Sequence, residues 1–262
     1  MMSARIKLRI KIIENAILRL NEYKVNTISK ILYSLLCYLI QIAIWKSLLH
    51  SKADIYPNMV QYVFFSMCLS VFVCYDTNYV PVIGGRVVYG DIAGDLLRPV
   101  SFRTFYFFDF LGTVVFRFFL NLIPLILISR FIMHINVTVY RPLESILSFF
   151  LACILYFLIS YTMGLLSFWY VSIGQLHILL DSSITLFSGS NIPLWIIPKW
   201  LMPVYKLLPF RYLYYEPINI ILGKNDSPAE IILGQIIWII FFLILSQILF
   251  RAGINKIEVQ GG

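Results

Sequence analysis

Residues 227–253 read SPAEIILGQIIWIIFFLILSQILFRAG. Between Glu230 and Arg251 no residue is charged. An α-helix rises about 1.5 Å per residue, so about 20 such residues match the hydrocarbon thickness of a bilayer. Ser227, Pro228 and Glu230 form a capping-box pattern, with Ser at N-cap, Pro at the first helical position and Glu at N3. Arg251 and Gly253 supply a basic last turn and a C-cap glycine. The stretch predicts a transmembrane helix over 228–250.

The rest of the chain repeats that signal. Five further apolar runs fall at 29–49, 58–79, 104–132, 142–170 and 175–190, the fifth being the shortest and most polar. Arg141-Pro142 opens the 142–170 run as Ser227-Pro228 opens the last. The expected fold class is an all-α membrane protein with six transmembrane helices. Composition agrees: 60% of the 262 residues are hydrophobic and 13% charged, where a soluble domain has about 45–50% and about 25%. Thirteen acids and twenty-one bases are too few to cover a water-exposed surface.

The net charge is +8. A basic balance fits nucleic acid or an anionic membrane surface. Here the bases flank apolar runs without forming a basic domain, so membrane lipid is the expected partner and nucleic acid is not. By the positive-inside rule, the side holding both termini and the 80–103 segment carries twelve bases and the other side eight, which places both termini in the cytoplasm. No cleavable leader is readable in the first 30 residues.

Ile6, Ile10, Ile13, Ile17 and Leu20 recur at steps of four and three, flanked by Arg5, Lys7, Arg9, Lys11, Arg19 and Lys24. This is one face of a helix over 3–23. A basic amphipathic helix lies in the membrane interface; a short helix packed on a partner has the same pattern. The 194–208 stretch is apolar and aromatic but broken by prolines. It fits short re-entrant helices buried at membrane depth or a loop lying at the headgroup level.

No site for chemistry is readable. Cys37, Cys68, Cys74 and Cys153 lie inside apolar runs, His50, His134 and His177 are far apart, and no phosphate-binding loop, zinc motif or nucleophile elbow occurs. Catalytic residues, metal ligands and cofactors are therefore not expected. Charged residues within spans mark function by default because hydrocarbon penalises them. Arg117 and Asp181 are the most central, and pairing inside the bundle would relieve both. Ser160, Gly164 and Ser167 form a small-residue face of the kind that lets helices approach closely.

The loops carry a resemblance. Gly90-Asp91-Ile92-Ala93-Gly94-Asp95-Leu96-Leu97-Arg98-Pro99-Val100 resembles the G-x-I-x-x-x-L-L-R-P-V segment of permease subunits in type-2 ABC exporters. Phe187-Ser188-Gly189-Ser190-Asn191-Ile192-Pro193-Leu194 resembles the same family's S-G-x-x-x-P-L, and Tyr215–Gly223 its x-x-P-x-x-I-x-L-G; the ending Val259-Gln260-Gly261-Gly262 is also similar. The order and placement fit the subgroup with two permeases and one separate ATPase. The resemblance implies a permease without chemistry of its own, paired with a second permease (the same or a paralogous chain) and coupled to an ABC ATPase subunit, in the cell membrane. It implies a cytoplasmic coupling element at 83–101, with Arg86, Asp91, Asp95, Leu97, Arg98 and Pro99 facing the ATPase. It also implies an interfacial helix at 3–23 and a re-entrant element at 192–210. A stand-alone channel or secondary transporter is the alternative, and would need polar relays or inverted repeats.

Overall fold

The computed structural model describes residues 2–22, 24–49, 56–70, 78–132, 138–170, 173–225 and 227–256. Cys74, His50, His134 and the terminal motif at 259–262 lie outside them. The described chain is helical, and no strand occurs among those residues. The α-helices are α1 (Met2–Glu22), α2 (Lys24–Leu48), α3 (Tyr56–Ser70), α4 (Tyr79–Val88), α5 (Ile92–Leu96), α6 (Phe102–Leu127), α7 (Pro142–Leu165), α8 (Ile173–Phe187), α9 (Met202–Leu207), α10 (Tyr215–Ile221) and α11 (Pro228–Ile254).

Among the described residues, four stretches are long and apolar enough to cross a membrane: Val25–Leu48, Phe102–Phe131, Pro142–Phe168 and Pro228–Ile254. Within the second, Pro124 lacks an amide hydrogen, and a π-helical turn over Ile128–Ile132 follows it. Of the expected run at 58–79, the described residues form α3 and the start of α4, whose N-cap is Asn78. The Asn78 side chain accepts from Val80 N at 3.0 Å and so caps the start of α4.

Helix α7 is the centre of the packing, with α11 on one side and α4 on another. Its apolar residues meet a largely aromatic core that includes Tyr79, Tyr156, Phe157, Tyr161 and Phe110, each at most 1% exposed. Hydrocarbon surrounds the bundle, so burying apolar area drives little here; close packing and buried hydrogen bonds hold the helices. The small face of α7 is the clearest case. Ser160 Oγ accepts from Tyr79 N at 2.6 Å, Gly164 lies against the Tyr79 carbonyl, and Ser167 donates to Gly164 O at 2.7 Å. Gln235 of α11, fully buried, binds Ser148 Oγ and donates to the carbonyls of Ser148 (3.0 Å) and Tyr212 (3.1 Å). One amide thereby fixes α11 to α7 and to the segment that precedes α10.

Two end signals work differently from their sequence reading. Helix α11 does begin at Pro228, but Ser227 makes no side-chain cap bond. Asn225 Oδ1 accepts from Ser227 N at 2.7 Å, forming a side-chain turn that feeds the chain into the helix instead. Gly253 does not end α11, which continues to Ile254 with Asn255 as its cap. Its missing Cβ makes room for the Phe168 ring.

Helix α1 packs along α6. Ile12 and Ala16 are its buried residues, and a Cβ at Gly112 of α6 would meet Ile13 O at 2.8 Å and Ala16 Cβ at 2.9 Å. Ile6, Ile10 and Leu18 stay exposed, so the helix has a second apolar side. Arg19 pairs with Asp109 of α6 at 3.0 Å, and Asp109 also accepts from Tyr79 OH at 3.0 Å. Arg19 is 55% exposed, and half-exposed pairs contribute about 0–1 kcal/mol. Arg19→Ala is therefore expected to lower stability by less than about 1 kcal/mol, checked by thermal unfolding in detergent.

Candidate functional site

The segment between α4 and α6 is a compact knuckle. Gly90 has φ 77°, a left-handed conformation that suits glycine, and the chain reverses there into the short α5. Asp95 holds the knuckle together. Its side chain is 3% exposed, with Arg98 Nη2 at 2.8 Å and Arg86 Nε at 3.7 Å. Tyr106 OH of α6 donates to it at 2.7 Å. The Arg98 guanidinium lies over the Phe105 ring, 3.9 Å from its centre. A buried carboxylate thus ties α4, α5 and α6 together with two arginines and one phenol.

The charged residues of the segment differ in exposure. Asp95 faces inward, and Arg86 and Arg98 turn towards it. Asp91 stays in water at 59% exposure, its 3.5 Å contact with Arg86 a weak one. What projects is apolar: Leu97 is 86% exposed and Tyr89 82%, with Leu96 and Pro99 exposed beside them.

A second candidate site is a cavity of about 560 Å³ between α2, α3, α6 and α8. Arg117 and Asp181, the two intramembrane charges singled out from sequence, both line it. The structure brings them to one cavity and gives Asp181 other partners. Asn78 Nδ2 donates to its Oδ1 at 3.2 Å, and His177 Nε2 stands 3.3 Å from its Oδ2. Asn78 Oδ1 also takes the Ser160 hydroxyl hydrogen at 3.3 Å. Sequence reasoning missed Asn78, Ser160 and His177 as parts of this cluster. One signal was present: His177 and Asp181 are four apart and share a face of α8.

The segment after α8 bounds one end of the cavity through Ser190 and Asn191. Gly189 turns the chain at φ 81°, and Tyr62 OH donates to its carbonyl at 2.6 Å. Ser66 Oγ donates to Ser190 O at 2.6 Å. Beyond it, 3-10 turns and α9 replace a continuous helix. Arg211 pairs with the buried Glu216 at 3.0 Å. Burial raises the Glu216 carboxyl above its usual range, and Arg211 and Lys206 pull it back down. Lys224 sits 3.7 Å from the centre of the Trp195 ring, joining the two ends of this segment.

Among the described residues no group of His, Cys, Asp and Glu could hold a metal ion. Cys37, Cys68 and Cys153 are unpaired. Residues 55–261 match the family described as ABC-2 family transporter protein. No curated protein matches the chain.

Proposed function

The chain belongs to the ABC-2 transporter family, and on that premise we propose that it is the permease subunit of an ATP-driven exporter. A permease of this family is a multi-pass membrane transport component and not itself a catalyst. In this reading the subunit pairs with a second permease and couples to a separate ABC ATPase, as in systems with two permeases and one ATPase. The six crossings are α2, α3 with α4, α6, α7, α8 and α11. Alone, α3 and α8 are each 15 residues, or about 22 Å, short of the roughly 30 Å core. Helix α4 extends the first of these, and the folded outer segment completes the second as a re-entrant element. Helix α1 lies at the inner interface with Ile6 and Ile10 towards lipid, and both termini face the cytoplasm.

The observation that carries coupling is the knuckle. Asp95, Arg86 and Arg98 give it a fixed shape, and Leu97, Tyr89 and Pro99 form its exposed apolar tip, with Asp91 at the rim. An apolar tip on a rigid base suits insertion into a groove of a soluble subunit, and buried anchors carry most of the energy of such contacts. ATP-driven closure of the ATPases would then move α4, and α4 moves the bundle through its packing on α7. Affinity purification of the tagged chain is expected to bring with it a subunit carrying a GxxxxGK[ST] loop. Leu97→Asp is expected to reduce that recovery at least tenfold while thermal stability stays unchanged. Equal recovery with the variant, or no such subunit with the wild type, would overturn the assignment.

A further inference from the structure

A smaller cavity lies at the knuckle end of the bundle, between the start of α6 and the late turns of α7 and α11. It measures about 180 Å³, below the roughly 300 Å³ at which pockets for drug-sized molecules begin. It has room for one small group. Phe102 of α6 and Phe250 of α11, stacked with ring centres 5.2 Å apart, supply its apolar wall. The remaining lining is polar: Ser101, Arg103, Tyr161, Ser246 and Gln247. Each of these side chains can donate a hydrogen bond, and none is an acid.

Several of the donors are unused. Tyr161 is 1% exposed, and its hydroxyl has no hydrogen-bond partner among the described residues. The oxygen is not sealed off; it opens onto the cavity that Tyr161 lines. Buried polar groups are almost always hydrogen-bonded, so a phenol facing an internal polar space calls for a ligand. The Gln247 amide also lacks a partner among the described residues.

Arg103 is held by one end. Its Nη1 donates to Leu243 O at 3.3 Å and to Ser246 Oγ at 3.4 Å, and Ser246 in turn donates to Leu243 O at 3.0 Å. These contacts pin the guanidinium to α11 and leave Nε and Nη2 without a partner among the described residues. The first amides of α6, at Phe102 and Arg103, have no intrahelical acceptor, and the positive end of a 26-residue helix dipole lies there.

The geometry points to a site for a phosphate group. One arginine, a phenol, a side-chain amide and a helix N-terminus meet there without a counter-charge, and guanidinium donors pair well with phosphate oxygens. The diester of an anionic phospholipid and free inorganic phosphate share this chemistry. The surroundings favour the lipid. Ile244 and Ile248 of α11 flank Ser246 and Gln247 in sequence and are 57% and 58% exposed, so an acyl chain anchored at the site has apolar surface to lie on. In the orientation proposed above, the inner leaflet supplies it. A phosphate held there bridges α6, α7 and α11 immediately behind the knuckle, as a structural ligand and not a cargo.

The test uses the purified full chain in maltoside detergent. It is titrated with lysophosphatidylglycerol carrying a fluorophore on its acyl chain and, separately, with the uncharged monoacylglycerol of the same chain. Wild type is expected to bind the phosphate-bearing probe at least tenfold more tightly. Arg103→Gln is expected to remove that preference. Tyr161→Phe is expected to weaken the phosphate-bearing probe about fivefold and, without any probe, to melt with wild type, because the hydroxyl has no internal bond to lose. That variant separates binding from folding. Inorganic phosphate, added against chloride at equal ionic strength, distinguishes the sources. Displacement of the probe at millimolar phosphate marks a site for the free anion, and no displacement marks one that needs the lipid. Equal binding of the two probes by wild type, or unchanged affinity for the phosphate-bearing probe in either variant, would overturn the proposal. The measurement needs no other subunit, so it is independent of the permease reading, whose failure appears separately as absence of any co-purified ATPase.

Discussion

Asp95→Ala is expected to destabilise the protein by about 2–4 kcal/mol and to abolish ATPase recovery. Removing one partner of a buried charge pair costs about 3–5 kcal/mol because the other charge is left without compensation. Here the penalty is smaller at the upper end, because Arg86 and Arg98 are 42% and 35% exposed and regain some water. The Tyr106 hydroxyl loses its acceptor as well. Asp95→Asn is expected to recover part of the loss, since an amide oxygen can still accept from Tyr106. Asp91→Ala, which removes only an exposed 3.5 Å contact, is expected to change stability by less than about 0.5 kcal/mol. Thermal unfolding in detergent orders the three variants. If Asp95→Ala melted with wild type, Asp95 would be a surface charge and the rigid-knuckle account would fail.

That contrast shows what a sequence can carry. Asp91 and Asp95 are the same residue type four positions apart, and both read as docking charges. Only the fold distinguishes them, because burial of Asp95 depends on Tyr106 and Arg86 arriving from two other helices. The long spans were readable because hydrocarbon imposes length and apolarity locally: Pro142 and Pro228 begin helices where their neighbours predicted. Gly253 was misread because a glycine near a helix end has two physical uses, a left-handed cap or space for a neighbour, and Phe168 decides for the second. The part played by Asn78 in the second run was hidden for a similar reason. Asn78 follows Asp76 and Thr77, and while its cap bond to Val80 is local, its role as the bridge to Asp181 depends on α7 and α8. Arg117 and Asp181 were found from cost alone. Their common cavity needed the arrangement of four helices.

Gly164→Leu is expected to be among the most damaging single substitutions outside the knuckle. A Cβ at this position would lie 2.8 Å from Tyr79 O, 3.0 Å from Ile83 Cδ1 and 3.2 Å from Tyr79 C. Two of these atoms are backbone, so no rotamer change relieves the contact. Helix α4 cannot easily retreat either. The Tyr79 amide is held by Ser160, its hydroxyl by Asp109, and its ring packs against Tyr106, Phe110 and Phe157. Overpacking a filled interface costs about 1–3 kcal/mol and sometimes more; with a pinned backbone, Gly164→Leu belongs at or above the top of that range and Gly164→Ala within it. Gly85 of α4 is the control, because a Cβ there meets nothing within 4 Å. Gly85→Ala is expected to be neutral or to stabilise by up to about 1 kcal/mol through helix propensity. Because α4 carries the knuckle at one end, forcing it from α7 should also lower ATPase recovery. A Gly164→Leu protein that melted like Gly85→Ala would show that α4 and α7 are not in contact, and the path from knuckle to bundle would have to run elsewhere.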